Sequence, residues 1–172
     1  MNRKDAGFTL IEALIVLAVV AITVTVALPG FAGVIERNRT TTALHLLSAD
    51  MAMARATAIT RRTQTVVCPR AGDRCAPGSD WTAGWLVFLD PDGDRQPNAA
   101  EEILRTTDSP ASGRLFLPSS RPLLRYQIDG RSAGANLTVN VCSQQRLSGK
   151  VIVNNLGRVR TERPTRELPC PR

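Results

Sequence analysis

Arg158 and Arg160 stand two residues apart in the run Gly157–Arg158–Val159–Arg160, directly after Asn154, Asn155 and Leu156. Asn and Gly tolerate positive φ, so the segment reads as a hairpin turn feeding a strand. On a strand the two guanidinium groups project from one face about 6.6 Å apart, near the separation of successive phosphates along one nucleic-acid strand. That arrangement suits contact with a phosphate backbone. It carries no base-reading element, so little sequence preference is expected of it. Lys150, Arg146, Arg163 and Arg166 join the set as nearby cations. The charge supports the choice, because residues 114–172 carry +8 whereas residues 1–113 carry −1. Of the 22 basic residues 20 are Arg, the side chain that meets phosphate with a planar fork of donors.

Other chemistry is thin. A single histidine, His45, is present, so a multi-histidine metal site or a serine triad lacks its main ingredient. No phosphate loop is visible, and the chain reads as a non-enzyme without cofactor. Asp90, Asp92, Asp94 and Glu101 occupy positions one, three, five and twelve of a calcium-type loop. The sixth position, where such a loop turns on glycine, is Arg95, and no helical pattern flanks it. We read the segment as an acidic turn between strands, with no metal. Trp81, Trp85 and Phe88 read as core rather than as platforms for bases.

These groups need elements to position them. Residues 8–28 form an apolar run of 21 residues whose one charge is Glu12. As a helix it is about 31 Å long, enough to span a bilayer. An ionised carboxylate there costs about 2.5–3.5 kcal/mol or more, which marks Glu12 as functional. Pro29 can kink or end the helix. Beyond it Leu44, Leu47, Met51, Ala54 and Ala58 recur at spacings of three and four, an apolar stripe on an amphipathic helix, with Arg37, Arg39, Arg55, Arg61 and Arg62 at other positions. The remainder reads as strands at 65–68, 85–89, 103–106, 114–117, 123–128, 137–142, 150–153 and 158–161, separated by Gly, Pro, Asp and Asn clusters. The fold class is α+β.

Four cysteines allow three pairings. An even count in an oxidising compartment favours disulfides, and we pair neighbours. Cys68–Cys75 would staple a short loop, and Cys142–Cys170 would tie the C-terminal tail to the sheet for about 3 kcal/mol. A zinc site is the competing reading, disfavoured by the absence of any CxxC spacing.

Lys4-Asp5-Ala6-Gly7 followed by Phe8-Thr9-Leu10-Ile11-Glu12 resembles the class III signal of type IV pilins and type II secretion pseudopilins. The resemblance implies cleavage by prepilin peptidase between Gly7 and Phe8, methylation of the Phe8 amine, and a Glu12 that neutralises a neighbouring subunit's amine in a filament. Trp81–Asp90 with the following PDGD and EEILRT, and the late segment GKVIVNNLGRVR, resemble the H-type minor pseudopilins and FimT-type minor pilins. The implied architecture is pilin-like: leader 1–7, transmembrane and filament-core helix 8–28, amphipathic second half 29–62 packed on an antiparallel sheet, and β-rich globular domain 63–172. Gly157, Arg158 and Arg160 match the GRxR motif that in FimT-type minor pilins binds DNA during natural transformation. The implied partners are DNA, major and minor pilins, prepilin peptidase and, before assembly, the inner membrane, with the globular domain in the periplasm. The alternative is a structural pseudopilin of a type II secretion system, or a pilus-priming component, that binds no DNA.

Overall fold

A computed structural model describes residues 9–110 and 114–171, with backbone alone at 26–30 and 32. The expected processing pair Gly7 and Phe8 lies outside the described residues. The chain divides into two compact units, Met1–Asn38 and Arg39–Arg172. Helix α1, Leu10–Arg61, contributes to both.

In the first unit the helix carries Leu10, Ile11, Leu14, Ile15 and Leu17, all of them exposed. Its hydroxyl groups are satisfied within the helix: Thr23 donates to the Val19 carbonyl at 2.7 Å and Thr25 to the Ala21 carbonyl at 3.0 Å. Pro29 and Gly30 lie inside α1, so Pro29 does not end it. A proline removes one amide donor, and the helical turns on either side propagate past it. Among the described residues no helix is long and apolar enough to cross a membrane. The expected span, 8–28, includes positions 8 and 26–28, where no side chain is described.

The second unit is built on the stripe. Ala43, Leu44, Leu47, Met51, Ala54 and Ala58 are all buried on one face of α1. Among the described residues nine strands accompany it: β1 Thr65–Ala71, β2 Arg74–Cys75, β3 Gly84–Leu89, β4 Ile103–Asp108, β5 Leu115–Phe116, β6 Leu124–Tyr126, β7 Leu137–Ser143, β8 Arg146–Val153 and β9 Val159–Glu162. Where one sheet was expected there are two. One runs β2-β1-β3-β4 with β6 also on β1, and the other runs β5-β7-β8-β9. Within each, the pairs are antiparallel.

Alternation along the strands sets the core. Leu137, Val139 and Val141 of β7 and Val151 and Val153 of β8 join the helix stripe, together with Trp81, Trp85 and Val87. The opposite face of β1 and β3 carries a second cluster of Val66, Cys68, Leu86 and Phe88. Phe88 is therefore core, but on the side of the sheet away from the helix cluster. Two disulfides, Cys68–Cys75 and Cys142–Cys170, close the short β1-β2 loop and the C-terminal tail.

Asp50 is a fully buried charged residue on the buried face of α1. Its carboxylate accepts the Trp85 indole N–H at 2.8 Å, the Thr107 hydroxyl at 2.7 Å and the Arg105 guanidinium at 3.1 Å. One buried carboxylate thus joins α1 to β3 and β4.

Candidate functional site

The turn that delivers the two arginines is closed by Asn154. Its carbonyl accepts the Gly157 N–H at 2.8 Å, and its side-chain oxygen accepts the Arg158 N–H at 2.9 Å. The chain then enters β9, the edge strand paired with β8 at Val153↔Val159, Ile152↔Arg160, Val151↔Thr161 and Lys150↔Glu162. Val159, the first residue of β9, packs against the core, whereas its neighbours Arg158, just before the strand, and Arg160, on it, are both exposed.

Gly157 has φ +76°, and an added Cβ would sit 2.0 Å from the Gly130 carbonyl oxygen. The turn therefore lies directly against the loop at Gly130. Arg55, from α1, ties the two together: its Nε donates to the Gly130 carbonyl at 3.0 Å and its Nη2 to the Leu156 carbonyl at 3.0 Å. The buried Tyr126 hydroxyl donates to the Gly157 carbonyl at 3.4 Å, and burial pushes its pKa well above the ordinary phenol value. A Gly157→Ala change forces both the left-handed conformation and the clash, and is expected to destabilise the domain by about 2–3 kcal/mol in chemical denaturation.

The expected cations differ in their surroundings. Glu162 is held between Lys150 at 2.9 Å and Arg160 at 3.1 Å. The Lys150 ammonium, followed by the Arg160 charge, holds the Glu162 carboxyl below the ordinary range. Arg160 uses only its Nε in this pair, which leaves the terminal nitrogens of its largely exposed side chain to the solvent. Arg146 pairs with Glu167 at 2.7 Å, and Arg163 donates to the Thr41 hydroxyl at 2.8 Å. Arg158 and Arg166 make no ion pair among the described residues.

Two further cations belong to the same place. Arg55 spends its donors on neutral carbonyls, so its charge stays uncompensated beneath the turn. Arg131 is exposed next to Ser132, whose N–H donates to the Asn155 carbonyl at 3.1 Å. Arg55 and Leu156 are 101 residues apart, a distance no local motif spans.

The remaining expected groups lie elsewhere. Glu12 occupies the first turn of α1, and its N–H donates to the Thr9 hydroxyl oxygen at 3.3 Å, so Thr9 caps the start of the helix. Asp90, Asp92 and Asp94 converge, whereas Glu101 is not part of their cluster and sits in a short 3-10 turn, Ala100–Glu102. Burial, followed by the Asp94 and Asp92 charges, raises the Asp90 pKa, although the Arg95 N–H opposes this by donating to its Oδ1 at 3.2 Å.

Comparison with known proteins agrees with this architecture. Two crystal structures of the type IV minor pilin FimU of Pseudomonas aeruginosa share the fold. One has TM-score 0.60 and 18% identity over 78% of this chain and 97% of that chain. The other has TM-score 0.56 and 16% identity over 76% and 98%. The prokaryotic N-terminal methylation motif matches residues 2–28. No protein of curated function matches. A helix laid on antiparallel sheets behind a methylation motif defines the type IV minor pilin and pseudopilin class. Within it the chain belongs to the family of the type II transport protein GspH, whose model matches residues 43–157. That match stops at Gly157, one residue before Arg158.

Proposed function

We propose that this protein is a minor type IV pilin that binds DNA without sequence preference through its C-terminal hairpin and supports DNA uptake in natural transformation. The observation that carries the reading is the pair Arg158 and Arg160, both exposed where the turn enters edge strand β9, with the uncompensated charge of Arg55 beneath the turn. The role is binding and assembly rather than catalysis. Prepilin peptidase removes residues 1–7, Phe8 becomes the methylated N-terminus, and residues 8–28 anchor the chain in the inner membrane until it joins other pilins in a filament through Glu12. Residues 29–62 complete the helix, and the globular domain, 63–172, lies in the periplasm and then at the cell surface.

The GspH family match favours a second reading, a structural pseudopilin of a type II secretion system that binds no DNA. The two separate in cells. With Arg158 and Arg160 both changed to Ala, the first reading expects pili to assemble while transformation frequency falls at least tenfold. Unchanged transformation favours the second.

Glu162 competes with phosphate for Lys150 and Arg160. Glu162→Gln is therefore expected to raise DNA affinity and to steepen its salt dependence by about one released counterion, read from a binding series at neutral pH. Acid acts in the same direction. Because the Glu162 carboxyl is held below its ordinary value of 4.5, its pairs contribute fully above that pH and are lost as pH falls through the lower native value.

A further inference from the structure

The acidic loop after β3 carries a feature that its reading as a turn leaves unexplained. Asp90 is 1% exposed, and its Oδ2 is buried with no hydrogen-bond donor. A carboxylate oxygen shut away from water without a partner is costly, and opposite charge is what ordinarily satisfies it. Here the neighbours carry the same charge. Asp92 and Asp94 bring carboxylate oxygens so close that one oxygen from each of the three residues lies within 4.8 Å of the other two. No ion pair reaches any of the three among the described residues.

What does touch them is neutral. The Asn98 Nδ2 donates to Asp92 Oδ2 at 2.8 Å and to Asp94 Oδ2 at 3.2 Å, holding both rim carboxylates in place without offsetting their charge. The Asp94 N–H donates to Asp92 Oδ1 at 3.4 Å, and the Gln96 N–H to Asp94 Oδ1 at 2.9 Å. The glycine missing from the sixth position is replaced in conformation if not in type, since Arg95 adopts φ +68°.

From the buried, partnerless Asp90 Oδ2 and its two converging neighbours we propose that this loop is a Ca²⁺ site, with Asp90 at its floor and Asp92 and Asp94 at its solvent-facing rim. The size fits, because 4.8 Å is about twice a Ca²⁺–oxygen bond, so oxygens no farther apart than this can share one ion. Hard carboxylate ligands exclude the softer thiolate- and imidazole-seeking metals. The exposed rim leaves the other coordination positions to water, a shell that Ca²⁺ tolerates in irregular geometry and Mg²⁺ does not. A half-open site of three carboxylates belongs in the weak range of extracellular modules, about 10⁻⁴–10⁻³ M. The inference is independent of DNA binding and rests on residues remote in sequence from the arginine hairpin.

The test uses the full chain in detergent after EDTA treatment. Calorimetric titration with CaCl₂ is expected to show one saturable site in that affinity range. In 10 mM CaCl₂ the melting temperature is expected to rise by about 5 °C over EDTA, and by far less in 10 mM MgCl₂. Asp92→Asn, a change at an exposed position that keeps the shape of the side chain, should abolish the heat of binding and the shift, as should Asp94→Asn. Absence of a calcium response in the wild type, an equal response to magnesium, or a full response in both folded variants would each overturn the site. The wild-type titrations decide the matter even where a variant fails to fold.

Discussion

With Arg158 and Arg160 both replaced by Ala, the folded protein is expected to lose about two orders of magnitude in DNA affinity at 50 mM salt. The figure follows from counterion release. Two neutralised phosphates contribute about −1.8 to the slope of log affinity against log salt, which amounts to a roughly 200-fold difference between 50 mM and 1 M salt. Both side chains are exposed where the turn enters the edge strand and neither packs in the core, so the variant should keep the wild-type circular dichroism spectrum and melting temperature. The same change to Lys should lose much less, because charge is kept while the bidentate fork is lost. An unchanged affinity in the folded Ala variant would remove the hairpin from the binding surface.

The second large effect is structural. Asp50→Ala is expected to destabilise the domain by about 3–5 kcal/mol, because truncating one partner of a buried charged network strands the others. The stranded groups are specific: the Trp85 indole N–H is left in the core without an acceptor, and Arg105 loses its carboxylate. For a unit of this size the loss corresponds to a fall in melting temperature of about 10–15 °C. Asp50→Asn keeps one acceptor oxygen and should fall between wild type and Ala, which gives a graded reading even where the Ala variant does not fold. A loss under about 1 kcal/mol for Asp50→Ala would mean that the network contributes little beyond packing.

Asp50 also shows what periodicity reveals and what it conceals. It lies three residues after Leu47 and next to Met51, within the stripe whose spacing identified the helix face, so a polar residue there signals a buried partner. The partners themselves, on β3 and β4, depend on strand register, which one sequence does not specify. The strands with clear alternation, such as Leu137–Ser143, were readable because one face is apolar. Division into two sheets was not, since it depends on which strands pair. Pro29 was readable as a kink or an end, and the helix does not end there, because helix on both sides outweighs one lost hydrogen bond. In the candidate site the hairpin was readable from Asn154 to Arg160. Arg55 and Arg131 were not, because the fold alone brings them to the turn. The register places Glu162 opposite Lys150 and within reach of Arg160, so two of the expected cations share one anion.

The central claim is that a phosphate-binding surface sits at the end of this fold, and a salt series of duplex DNA binding by the detergent-solubilised wild-type chain tests it most directly. With four phosphates neutralised, log affinity is expected to fall linearly with log salt at a slope of about −3.6, equally for unrelated DNA sequences. Absence of binding at 50 mM salt, or an affinity that salt leaves unchanged, would contradict the claim and leave the protein as an assembly component alone.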